Sequence, residues 1–141
     1  MYQFYALNIL FNLVGGTTLA FDFLEEKVGI GKFLNRDGFD NEFFRTALGG
    51  LTFASGFAKL ISVTAGNWYV LGDFLPALAA MVTGFTLLLQ RFSPSDSLEV
   101  SDPATFRYKL DKVFVQPRNV YGTISIIAAV THLLFHTAQF L

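Results

Sequence analysis

Cysteine is absent from the 141 residues. That excludes disulfides, thiolate metal sites, iron–sulfur ligation and a thiol redox relay within this chain. Only two histidines occur, His132 and His136. Both fall in one segment, so a haem held by histidines from two different helices is excluded. Neither sign of charge dominates: 10 Lys and Arg against 11 Asp and Glu leave a net charge of -1. Without a basic surface, nucleic acid is not an expected partner. No Gly-rich phosphate loop, Ser/His/Asp nucleophile set or pair of catalytic carboxylates can be drawn from the residues present. An enzymatic role is therefore the less favoured expectation.

Apolar sequence is abundant. The chain is 52% hydrophobic with 17 phenylalanines, and its mean hydropathy of +0.47 exceeds that of an ordinary soluble domain. The apolar residues gather in four runs, roughly Phe4–Leu24, Phe43–Val63, Val70–Gln90 and Asn119–Phe140. Each is near the ~20 residues an α-helix needs to cross ~30 Å of hydrocarbon. The expected fold is all-α, an integral membrane four-helix bundle forming a single domain over residues 1–141. Thr18-Leu19-Ala20 resembles a cleavage site, but Met1–Ala6 holds no Lys or Arg. The first run is therefore expected to be a retained span.

Basic residues set the expected orientation. Lys27, Lys32, Arg36 and Arg45 fall in the segment between the first two runs and its flanks; Arg91, Arg107, Lys109, Lys112 and Arg118 fall between the last two. The connection around Gly66 and Asn67 has only Lys59 nearby. By the positive-inside rule both basic loops are cytoplasmic and both termini lie outside, in a plasma or inner membrane. Asn35, Asp37, Asp40, Asn41 and Glu42 do not match the spacing of a calcium loop. Asp40 or Asn41 instead suits the N-cap of the second long helix. In residues 103–115, Phe106, Leu110, Val113 and Phe114 share a face, with Arg107, Lys109 and Lys112 between them. That pattern predicts a short cytoplasmic amphipathic helix against lipid or a partner, ended by Gln116-Pro117.

Two helices carry polar stripes. Tyr5, Asn8, Asn12 and Asp22 follow helical steps in the first run, and Ser125, His132, His136 and Gln139 in the fourth. Polar groups in such segments need partners, so both stripes are expected to face inward. His132 and His136, at i and i+4, are the candidate ligand or proton site, with Asn8 and Asn12 opposite. A quinone or haem there is possible in principle, although no neighbouring carboxylate or thiol completes a metal set. The bland alternative is hydrogen bonding to adjacent helices. Lys59 and Asp73 are placed for an outer ion pair, or for a polar vestibule with the two histidines. Asp22 and Arg45 are placed to meet at the inner end. Small residues let helices approach closely: Gly50, Ala54 and Ala58 form such a stripe in the second run, and Ala80 and Gly84 in the third.

The stretch Arg45-Thr46-Ala47-Leu48-Gly49-Gly50, the apolar residues after it and Gly56-Phe57-Ala58-Lys59-Leu60 resemble an opening helix of the DoxX-like membrane proteins. Leu75-Pro76-Ala77-Leu78-Ala79 through Leu87-Leu88-Leu89 is similar to the helix that follows. Together they cover about a third of the chain. An extra run precedes Arg45, and Thr86 stands where that family often has an acidic residue. The resemblance implies a small four-helix membrane protein associated with redox complexes. The expected function is a non-catalytic accessory or structural subunit of a larger membrane complex. The expected partners are membrane lipids, other membrane subunits or a second copy. A small proton-linked or solute transporter is one alternative. A DoxX-like redox protein with quinone or haem at the histidines is the other.

Overall fold

The structure, a computed structural model, describes residues 2–64, 70–92 and 105–134. These form seven α-helices: α1 (Tyr2–Leu19), α2 (Phe21–Val28), α3 (Arg36–Asp40), α4 (Glu42–Thr64), α5 (Val70–Phe92), α6 (Phe106–Leu110) and α7 (Arg118–Leu134). A 3-10 turn at Ile30–Lys32 and a π-helical turn at Asp111–Val115 complete the described elements.

Local chemistry explains the breaks. At Ala20 the backbone leaves helical geometry (φ -93°, ψ 12°), and α1 and α2 are bent by 77°. Gly29 ends α2 in the left-handed region (φ 68°), and its N–H donates to the Glu25 carbonyl at 3.0 Å. Glycine reaches that conformation without a Cβ clash. Asn35 caps α3 by accepting from the Asp37 N–H at 3.1 Å. Asn41 caps α4 by accepting from Phe43 N–H at 2.9 Å and Phe44 N–H at 3.2 Å, which satisfies two donors that the helix cannot. In the amphipathic segment α6 runs directly into the π-helical turn Asp111–Val115, where the Gln116 N–H donates to the Asp111 carbonyl at 3.0 Å; residues 103 and 104 lie outside the described residues.

Two antiparallel helix pairs build the bundle, α4 on α5 and α1 on α7. Each is closed by glycine. A methyl group at Gly56 would lie 2.7 Å from the Ala77 carbonyl oxygen, and one at Gly84 would lie 2.6 Å from that of Gly49. In the other pair, a methyl group at Gly16 would lie 2.7 Å from the Gly122 oxygen. Such separations are possible only while no Cβ intervenes. Leu19, Leu48 and Leu87 form an apolar core, with Phe11, Val14 and Tyr121 packed against it. Large apolar side chains also lie on outer faces, including Leu10, Leu51, Phe57, Ile61 and Ile127.

The four-span membrane bundle is overturned by this arrangement. Among the described residues one helix, Phe74–Phe92, is long and apolar enough to cross a membrane. A second is reached only if Tyr5–Leu19 and Phe21–Val28 are counted together as one broken span. The run Phe4–Leu24 turns through 77° rather than running straight. α4 places Glu42, Arg45 and Lys59 within its length. α7 is described over 17 residues, and residues 135–140 of the expected fourth span lie outside the described residues. The multi-span arrangement implied by the DoxX-like resemblance is therefore not found among the described residues. The inner-membrane location, the sidedness of the basic loops, and lipid, membrane-subunit or second-copy partners all rested on it and fall with it. Counting apolar residues measures neither a bend nor the charges that a helix carries into its own packing.

Candidate functional site

Asn8 and Asn12 lie one turn apart on α1, and both are 0% exposed. The Asn12 Nδ2 donates to Asn8 Oδ1 at 3.0 Å and to the Pro76 carbonyl of α5 at 2.9 Å. Its Oδ1 accepts from Ser125 Oγ of α7 at 2.7 Å. One side chain thus ties three helices together. Thr52, Thr83 and Thr86 are equally buried nearby in sequence register on α4 and α5. Most of these groups are satisfied, as buried polar groups must be. Asn8 Nδ2 and Thr83 Oγ1 are buried without a hydrogen-bond partner.

Nearer the start of α1, Tyr5 meets the C-terminal part of α7. Its hydroxyl donates to the His132 carbonyl, and the two rings lie 4.5 Å apart between centroids. Lys59 enters from α4. Its Nζ lies 3.1 Å from His132 Nε2 and 5.0 Å above the Tyr5 ring. Lys59 is 8% and His132 6% exposed. An ammonium only donates, so an ammonium at Lys59 pairs with the His132 tautomer that leaves Nε2 as the acceptor. The Tyr5 ring face adds a cation–π contact to the same ammonium. The antiparallel pairing of α1 and α7 brings these groups together, setting Tyr5 against His132 and Asn12 against Ser125.

Charge concentrates at the opposite end of the bundle. Asp22 bridges two arginines, Oδ1 to Arg36 and Oδ2 to Arg118, each at 2.9 Å. Arg36 Nε also reaches Asp40 Oδ2 at 3.2 Å. The hydrogen bond that Arg36 donates to Asp40, and then the charge of Asp22, raise the Arg36 pKa. Arg45 differs: it donates to Gln90 Oε1, and its nearest carboxylate, Asp40, is 3.7 Å away. Burial, and then the like charge of Arg118, lower its pKa.

The expected site residues are distributed unevenly. Asn8, Asn12 and His132 fall in the buried polar interior. His136 and the Asp73 side chain lie outside the described residues. Lys59 contacts His132. Asp22 takes Arg36 and Arg118 rather than Arg45. In α4 the close contact with α5 uses Gly49 and Gly56, while Gly50 meets nothing within 4 Å and Ala54 and Ala58 are exposed. Ala80 and Gly84 do lie in that contact. Arg107, Lys109 and Lys112 are exposed. Sequence pattern missed the Pro76 carbonyl and the Arg36–Asp22–Arg118 bridge. No periodicity signals a backbone acceptor, and the bridge joins residues far apart in the chain.

Among the described residues, no group of three or more His, Cys, Asp or Glu could hold a metal ion. The quinone or haem site expected at the histidines is corrected on that finding, and His136 lies outside the described residues. The accessory-subunit and transporter readings lose their premise with the four-span fold.

A protein-family model matches residues 1–132. The chain belongs to that family. The match assigns no activity. No curated protein and no solved structure matches the chain.

Proposed function

We propose that this chain is a proton-responsive helical switch whose working centre is Tyr5, Lys59 and His132. The contact of Lys59 Nζ with His132 Nε2 at 3.1 Å, both groups being buried, supports this reading. With Lys59 as the donor, the pair carries one positive charge. A proton added to the imidazole removes the acceptor and sets two cations face to face. At 3.1 Å and an effective dielectric near 20, that repulsion is about 5 kcal/mol before relaxation. That repulsion weakens the hold of α4, and through Tyr5 that of α1, on the end of α7. The Asn12 network, made of Asn8, Asn12, Ser125 and the Pro76 carbonyl, has no titrating member and stays in place. The change is thus confined to one end of the bundle.

The sign follows from linkage. An imidazole kept neutral in the fold but free to protonate at about 6.5 when unfolded leaves the unfolded state binding more protons below that pH. Stability is then full above pH 6.5 and declines as pH falls. The expected outcome is a loss of stability as pH falls from about 7.5 to about 5. Urea unfolding of a His136→Gln chain, which leaves one histidine, measures it. A further His132→Gln change should flatten the profile. An unchanged slope after that substitution, or a flat profile before it, would count against the switch.

A further inference from the structure

About 20 Å along the helices from the Lys59–His132 pair, Arg45 is poorly served for a partly buried cation. Both oxygens of Asp22 are taken by Arg36 and Arg118. One oxygen of Asp40 is taken by Arg36, and the other stands 3.7 Å from Arg45. Glu25 accepts from the Gly31 N–H, and Glu42 lies 3.9 Å from Arg91. The strongest neighbouring charge on Arg45 is the positive one of Arg118, ahead of Asp40 and Asp22. Two donors of the Arg45–Gln90 pair, Arg45 Nε and Gln90 Nε2, are buried without a hydrogen-bond partner. A buried donor left unpaired costs about 1–3 kcal/mol. Excess positive charge and unpaired donors therefore coincide in one place. Guanidinium and amide N–H groups together match the acceptor oxygens of a phosphate.

We propose that Arg45, Gln90 and Arg118 form a binding site for a phosphate group, either free or carried as a monoester on a small organic molecule. Arg45 Nε and Gln90 Nε2 donate to its oxygens, and Arg118 supplies a second positive charge. Arg118 keeps its bond to Asp22 Oδ2, so the bound anion relieves the Arg45–Arg118 repulsion without breaking that bridge. The site does not rest on the proton switch at the other end.

Thermal unfolding of the full chain tests this site, with chloride exchanged at constant ionic strength for inorganic phosphate or for glycerol phosphate. The unmodified chain should show a saturable rise in Tm with at least one of the two. A response to both points to the phosphate group alone, and a response to glycerol phosphate only points to an organic monoester. Arg45→Lys keeps the charge but loses the planar fork, and should weaken the apparent affinity about tenfold. Gln90→Glu places a carboxylate beside Arg45 in the anion's stead and should abolish the response in a folded protein. No saturable rise with either probe, or the same rise in Gln90→Glu, overturns the proposal. Gln90→Glu decides the matter even if Arg45→Lys does not fold.

Discussion

Two glycines in neighbouring helices should respond to alanine with opposite signs. A methyl group at Gly84 would sit 2.6 Å from the Gly49 carbonyl oxygen and 2.8 Å from Phe53 Cα. A carbon normally stops about 3.3 Å from a carbonyl oxygen. Relief requires α4 and α5 to part by several tenths of an ångström, because the obstructing atoms are backbone and no rotamer change moves them. Overpacking of this kind costs about 1–3 kcal/mol, and separating two backbones belongs at the upper end. Alanine's helix propensity returns about 1 kcal/mol. Gly84→Ala should therefore be destabilising by about 1–2 kcal/mol. At Gly50 an added methyl group meets nothing within 4 Å. Propensity then acts alone, and Gly50→Ala should be stabilising by about 0.5–1 kcal/mol. Urea unfolding with a common m-value reads both. A stabilising Gly84→Ala, or a destabilising Gly50→Ala, would refute the assignment of α4's contact face to Gly49 and Gly56.

Other substitutions probe the polar interior and the charged end. Asn12→Leu removes bonds to Asn8, Pro76 and Ser125 and leaves buried groups unpaired. It should cost about 3 kcal/mol in urea unfolding, and a cost under half of that would show that the network is not a main tie between α1, α5 and α7. Asp22→Asn weakens two ion pairs whose members are 35% to 57% exposed. Solvent screening should keep its cost small and make it shrink with added salt; a cost unchanged at 1 M salt would contradict a surface electrostatic origin.

Inward polar stripes were legible because helical spacing alone puts Tyr5, Asn8 and Asn12 on one face and Ser125 and His132 on another. Their mating was not legible, since it depends on the antiparallel pairing of α1 and α7 and on the approach allowed by Gly16 and Gly122. The small residues of α4 were legible as a class. Gly49 and Gly50 are adjacent, however, and 100° of helical rotation decides which one meets α5. Lys59 illustrates the same limit: no local pattern pairs it with His132, a residue 73 positions away. The bend at Ala20 carried no proline or glycine at that position to announce it.

By itself the sequence determined that the chain is helical, that cysteine chemistry is excluded, and that Asn8, Asn12 and His132 lie on faces that need polar partners. Those properties depend on residue type and local spacing, which are encoded within a few turns. The tertiary structure decided the bend between α1 and α2, the failure of a four-span count, and the meeting of Lys59 with His132 and of Asp22 with Arg36 and Arg118. Each of these depends on which helix faces pack together, and packing is set by close contacts between residues distant in the chain, which no local pattern records.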